Sequence, residues 1–393
     1  MTSGGSPSAA TSGRPSIGIA GAGIAGLALA GALHRSGYPV TVFEERPEFA
    51  PTGAGITIWP NALAALDSLG LGDRIRAAGN PVGAGGIRTA DGRWLRRMDR
   101  ARIEAALGEP LIAIHRVELI ELLAEAIGTN DLRFSAGVTG FKPNGGRVKA
   151  LLADGTTAEV DALIGADGFR SAIARQLQPD IRERYAGYTA WRGVAETDTA
   201  HLGDDGEPAE FWGRRHQFGF VPLGRGRTYW FATETAPAAT TFGDDLDHLR
   251  STLHDWPSPV AALLDATACG AISRHDIYDR TVARRWSAGA VTLVGDAAHP
   301  MRPHLGQGGC QALEDAAILG RLCEGSAPLD AFAEYERLRQ RRARRYVRLS
   351  ALAGRTNSLP WPLQGALHQV IRTIPDKLAL RQLSAVSGRK AFR

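Results

Sequence analysis

The residues with the clearest chemical potential lie in two glycine-rich segments far apart in the chain. The first is Gly21-Ala22-Gly23-Ile24-Ala25-Gly26, which follows a short apolar run and precedes a stretch rich in Ala and Leu. In such a turn Gly21 permits the tight bend, Gly23 lets a pyrophosphate approach the backbone, and Gly26 lets helix and strand pack closely. The helix that follows, read over Leu27 to Ser36, turns its free N–H groups and positive dipole end toward the phosphates, and Ile24 and Ala25 of the turn join the candidate cofactor-binding residues. Glu44 ends the next apolar run, at the spacing where a carboxylate can hold both hydroxyls of a ribose, with Glu45 as its competitor one residue later. The chemistry this pattern implies is adenine-dinucleotide binding.

The second segment runs from Leu293 to Asp315 and contains Gly295-Asp296, Pro303 and Gly306-Gln307-Gly308-Gly309. A buried strand delivers Asp296 to the carboxyl end of a sheet, where it can accept a hydrogen bond from a sugar or ribityl hydroxyl. Gly306 to Gly309 offer backbone N–H groups at a helix start, suited to negative charge on a ring carbonyl. His299 and His304 invite a metal reading, but no nearby carboxylate or Cys completes a ligand set. No metal is expected.

These residues require a scaffold. Apolar runs at 17–20, 39–43, 162–165 and 290–294, with a helix after the first and another from about Gln311 to Cys323, describe an open α/β sheet. A different texture begins near Tyr185: short alternating runs rich in aromatic residues, broken by Gly, Pro and Asp, read as an antiparallel sheet. The expected fold is therefore α/β, a Rossmann-like dinucleotide-binding domain (16–180 and 281–352) with an inserted, aromatic-rich antiparallel β-sheet domain (181–280) and a C-terminal helical segment (353–393). Residues 1–15, rich in Ser, Gly and Ala, read as a flexible tail without the apolar core of a signal peptide, so the expected compartment is cytoplasmic.

Composition narrows the rest. Three cysteines without a Cys-x-x-Cys pair leave electron transfer to an organic cofactor. The net charge of +5 owes much to an arginine run at 337–348, which reads as a solvated helix face partly paired with Glu334 and Glu336, with Leu338, Tyr346, Val347 and Leu349 turned inward. Neither nucleic acid nor membrane insertion is expected of this chain.

The two glycine segments, together with Leu163-Ile-Gly-Ala-Asp167-Gly168-Phe-Arg-Ser171, resemble the three motifs of the single-component FAD-dependent aromatic monooxygenases, the para-hydroxybenzoate hydroxylase superfamily. Trp59-Pro-Asn-Ala62, the Tyr185 and Trp191 segments and Tyr335-Glu-Arg337 resemble the branch with salicylate, 3-hydroxybenzoate and urate hydroxylases and zeaxanthin epoxidase. The resemblance implies FAD at Gly21, Gly23, Gly26, Glu44, Arg116, Asp296 and the 306–309 loop, and places Asp167 near FAD and NAD(P)H, either in direct contact or as a turn stabiliser. It also implies a reaction: NADH or NADPH reduces FAD, O2 adds to give a flavin hydroperoxide, and one oxygen atom enters an aromatic or heteroaromatic small molecule. The alternatives are an epoxidase, an oxidase or reductase on the same fold, or a non-catalytic FAD-binding partner protein. A monomer or homodimer is expected.

One departure from the family pattern concerns catalysis. Relatives carry an arginine just before Phe218-Gly-Phe-Val-Pro222, where this chain has Gln217. Arg192, Arg214 and Arg215 are the candidate replacements, and His216 is a candidate base. Trp191, Phe211, Phe220, Trp230 and Phe231 are the candidate pocket lining, large planar groups suited to an aromatic ring.

Overall fold

The computed structural model describes residues 13–49, 54–128, 131–199, 202, 206–356 and 359–392. Most of the expected N-terminal tail lies outside them.

A five-stranded parallel sheet runs in the order Val291–Leu293, Ala162–Gly165, Ile17–Ala20, Val40–Phe43 and Leu132–Arg133. Three of these strands are buried along their whole length, as continuous apolar runs in a sheet covered on both faces must be. The helices Ile24–Arg35 and Gly308–Gly325 pack together on this sheet, with Gly320 against Ala32. Outside them lies the long helix Pro328–Gly354, started by a proline at its first turn.

The second large sheet has seven strands, in the order Ser273–Arg280, Glu183–Ala195, Arg227–Glu234, His216–Gly224, Ala209–Trp212, Gly85–Thr89 and Trp94–Met98. Two of them come from residues 85–98, far ahead of the aromatic-rich segment, and Ala209–Trp212 pairs with Gly85–Thr89 in parallel. One face of this sheet is closed by the helices Asp245–Thr252 and Val260–Asp265 into a core of its own. A small sheet of Gly55–Ile58, Leu111–His115 and Asn80–Val82 joins the two large ones, through contacts such as Gly55 against the Tyr229 ring.

The C-terminal helices Trp361–Thr373 and Asp376–Ser387 lie back over the molecule. Gln364 donates to the Gly213 carbonyl at 2.9 Å, and Arg96 binds Asp376 at 2.8 Å.

The arginine-rich helix differs from its expected orientation. Leu338 is 41% exposed, whereas Arg339 is 1% exposed, on the inward stripe of Phe332, Tyr335, Ala343, Tyr346 and Ser350. Spacing of three and four residues decides which side chain turns inward, and hydrophobicity does not.

Candidate active site

The first glycine turn has the geometry its sequence requires. Gly21 has φ +104°, and a Cβ there would lie 2.5 Å from the Ala166 carbonyl oxygen. At Gly26 a Cβ would come within 2.0 Å of the Gly21 carbonyl oxygen, yet at Gly23 it would meet nothing within 4 Å. Two glycines are thus fixed by the protein itself, while the third faces open space at a helix start that no side chain caps. Glu44 accepts the Ala22 N–H at 2.8 Å and the Arg46 N–H at 3.1 Å, which places its carboxylate beside the turn. Glu45 is exposed, with its backbone against Gly137.

The second glycine segment meets the first in space. A Cβ on Gly295 (φ +59°) would lie 2.9 Å from the Ala25 side chain, and one on Gly309 would lie 3.4 Å from Ile24. Asp296 projects from this junction into a recess. It is reached by solvent yet ringed by protein, so desolvation raises its pKa against the pull of His299, Arg116 and Arg280. Arg116 is in the same situation with the opposite sign: desolvation lowers its pKa although Asp296 supports its charge.

The 306–309 loop turns at Gly306 (φ +59°) beside Trp59 and Thr57, and no side chain caps the helix that begins at Gly308. Gln307 is buried and acts as a brace, accepting from Asn61 at 3.1 Å and donating to Ser387 at 3.1 Å. Pro303 opens the short turn before the loop. Asp167 uses Oδ2 to accept the Ala172 and Ile173 N–H groups at 2.8 and 3.2 Å, which is a turn-stabilising role. Its Oδ1 is buried without a partner, as is Trp59 Nε1. An open glycine, free helix-start N–H groups, an accessible aspartate and two orphaned polar atoms fit a flavin dinucleotide lying between the two glycine segments.

The seven-stranded sheet turns one face toward this recess. Arg192, Phe231, Gly219, Glu210 and Ile87 are directly opposite one another across five strands and so share that face. The next row on the same face holds Ala190, Thr233, Gln217 and Trp212. The Arg192 charge reaches both Arg116 and Tyr229, so this face and the Asp296 recess bound one chamber.

Strand parity separates the candidates named from sequence. Arg192 and Phe231 belong to the chamber face. Trp191, Phe211, Phe220 and Trp230 lie on the other face, 0–4% exposed in the core beneath Leu246, Leu249, Val260 and Leu263. Their size suits them to the larger cavity between sheet and helices, where burying each adds about 1.5–3 kcal/mol or more. Arg215 is exposed in the hairpin turn at φ +69°, donating to the Thr235 carbonyl at 2.6 Å. His216 also faces away from the chamber, 3.7 Å from Glu234, and Gln217 takes the inward position.

Several site residues had not been singled out. Asp315 accepts from His299 at 2.6 Å, Arg339 at 2.7 Å and the Gly295 N–H at 2.9 Å, which fixes the turn that presents Asp296. Glu314 joins through Arg339, Arg342 and Asn61. The signal for Arg339 was its helical spacing; for Glu314 and Asp315 it was a pair of acids inside an otherwise apolar helix. His304 contacts the Tyr188 hydroxyl at 2.8 Å. Among the described residues no cluster of His, Cys, Asp or Glu is arranged to hold a metal, and no helix is long and apolar enough to cross a membrane.

Comparison with known proteins agrees with this geometry. The FAD binding domain family model matches residues 15–350. The aurachin C monooxygenase/isomerase of Stigmatella aurantiaca is 40% identical over 331 residues, covering 84% of this chain and 86% of that protein. The 3-amino-4-hydroxybenzoate 2-monooxygenase of Streptomyces cremeus is 34% identical over 84% of this chain and 86% of its own length. The crystal structure of Klebsiella pneumoniae HpxO complexed with FAD and uric acid superposes with a TM-score of 0.87 at 30% identity, covering 95% of this chain and 97% of that one. The chain belongs to the FAD-binding aromatic hydroxylase family and is an FAD-dependent monooxygenase.

Proposed function

We propose that this FAD-dependent monooxygenase uses NADH or NADPH and O2 to insert one oxygen atom into an aromatic or heteroaromatic small molecule. The observation that carries the reading is the shared chamber: the Arg192–Phe231–Gly219–Glu210 row faces the recess containing Asp296 and Arg116. FAD would supply the redox chemistry, including the activation of O2. The protein's residues hold and orient. Gly21, Gly23, Gly26 and Glu44 would hold the adenosine diphosphate end, and Asp296 would accept from the ribityl chain. The free N–H groups at Gly308 and Gly309 would stabilise negative charge on the ring, and Asp167 Oδ1 would be free to meet the cofactor.

On the substrate side, Phe231 offers a flat apolar wall and Arg192 a positive charge that favours an ionised, electron-rich ring. Arg192 thus takes the part that the inward Gln217 cannot, since an amide carries no charge. The helix Trp361–Thr373 limits water entry at the far end of the sheet. Residues 16–180 and 281–352 form the cofactor-binding part and 181–280 most of the substrate-binding part, with residues 85–98 completing its sheet. The enzyme acts in the cytoplasm on a free small molecule, as a monomer or homodimer.

The test is direct. The purified protein should be yellow or reconstitute with FAD, and NADH or NADPH oxidation should accelerate with one member of a panel of phenols, quinolones and purines, recovered with one added oxygen atom. A protein that neither carries nor accepts FAD would refute the reading. Arg192→Ala should uncouple reductant oxidation from oxygen insertion; unchanged coupling would remove Arg192 from the mechanism.

A further inference from the structure

Glu210 sits in the middle of the chamber-facing row, between Gly219 and Ile87. The missing side chain at Gly219 makes its place: a Cβ there would lie 2.4 Å from the Phe231 ring and 3.3 Å from Glu210 Cγ. The carboxyl and the aromatic wall are therefore neighbours. Trp212 Nε1 donates to Glu210 Oε2 at 3.0 Å. Above this end of the sheet lies the helix Trp361–Thr373, with the His368 ring tilted against the Trp212 ring at 6.4 Å and Gln364 bonded to Gly213.

Among the described residues no cation pairs with Glu210. The charged and titratable groups on the elements around it are otherwise placed: Arg192 and His275 lie farther across the sheet, Arg96 on the outermost strand is bound by Asp376, and His368 sits over Trp212. Burial pushes the Glu210 carboxyl up, and only the Trp212 bond opposes that shift. A carboxylate with one neutral donor and no counter-ion is a poor element of a core, since its desolvation is left uncompensated. Its remaining lone pairs face the chamber.

We propose that Glu210 determines substrate specificity by accepting a hydrogen bond from a ring N–H or O–H donor, so that the enzyme selects donor-bearing heteroaromatics and rejects aromatic carboxylates. The inference rests on the functional reading above and narrows it to a substrate class. Phe231 stacks the ring, Glu210 receives its donor edge, and a ring carboxylate in that position would meet an uncompensated like charge. A site built around a polar acceptor rejects a ligand without the matching donor because the acceptor is then left buried and unpaired.

The experiment uses the FAD-loaded enzyme and its Glu210→Gln and Glu210→Ala variants, with 4-hydroxyquinoline, urate and 3-hydroxybenzoate as probes. Binding is read from perturbation of the flavin spectrum, and turnover from reductant oxidation and product mass. For the wild type, one or both heteroaromatics should bind and 3-hydroxybenzoate should not. In Glu210→Gln the KM for the donor-bearing ring should rise about tenfold, as expected for exchanging a charged acceptor for a neutral one. The acid limb of the wild-type kcat/KM profile should vanish in Glu210→Gln, and 3-hydroxybenzoate binding should improve. A merely structural role would produce neither of those last two effects.

Wild-type preference for 3-hydroxybenzoate, failure of both heteroaromatics to bind, or an unchanged KM and pH profile in Glu210→Gln would overturn the inference and leave the monooxygenase reading standing. A protein unable to bind FAD would instead overturn that earlier reading. If Glu210→Ala fails to fold, the isosteric Gln variant decides the question alone.

Discussion

Two groups of charges are treated in opposite ways by the fold. Arg339, Glu314 and Asp315 are 0–1% exposed, and each ionised group is met by partners on several sides. Asp315 is held well below the usual carboxylate range, against its own desolvation, by His299 and Arg339. Asp296 and Glu210 are instead raised, because protein surrounds them without supplying enough donors or cations. The first group is complete within the chain and belongs to the fold. The second lacks such a full set of partners inside the chain, as expected of groups that meet a ligand.

The largest effect that could break this contrast is expected at Arg339. Replacing it with Met leaves Asp315 and Glu314 short of a cation, and urea denaturation should show a loss of about 3–5 kcal/mol. A loss within measurement error would mean that the clamp does not hold the fold.

Asp296→Ala should behave in the reverse manner. Titration of the apo-protein should show FAD affinity reduced about tenfold to a hundredfold for one lost hydrogen bond to a charged group, with the melting temperature of the apo-protein unchanged or higher. A large fall in apo-protein stability would place Asp296 with the clamp.

The smallest effect is the pH dependence, and its sign differs between the two groups. Asp315 is depressed in the folded state, so its contribution is fully present above the unfolded value of about 4 and is lost as pH falls through the folded one. Glu210 is raised, so its folded form is favoured at low pH and loses stability as pH climbs from the unfolded value through the folded one. Glu210→Gln should therefore raise the melting temperature more at pH 8 than at pH 4. Asp315→Asn should lower it at pH 8 and matter least in strong acid.

The two glycine segments, the parallel sheet and the helix after residue 308 were legible in the sequence because each is specified locally, by a strand, a turn and a helix start within a few residues. The chamber was not. Size singled out Trp191, Phe211, Phe220, Trp230 and Phe231 as lining, but nothing in a strand's own sequence says which face meets the cofactor, and for all but Phe231 bulk pointed the wrong way. The residues on the chamber face, Gly219, Gln217 and Glu210, are ones a search for aromatic lining passes over. Strands at 85–98 were hidden for another reason: the strand Gly85–Thr89 joins the large sheet through a partner more than a hundred residues away. Arg339 was masked by its surroundings, one arginine in a run of them, distinguished only by its step from Tyr335 to Ala343.

The three glycines of the first turn are exposed to two kinds of selection. Adding a methyl at Gly21 or Gly26 injures the chain itself, through collisions at 2.5 and 2.0 Å with backbone oxygens. A methyl at Gly23 meets only empty space. A library sorted for soluble, protease-resistant protein would deplete the first two variants and retain Gly23→Ala; the same library sorted by yellow colour would discard all three. The difference between those two survivor lists would trace the outline of the cofactor in the genetics of the apo-protein, one methyl group at a time.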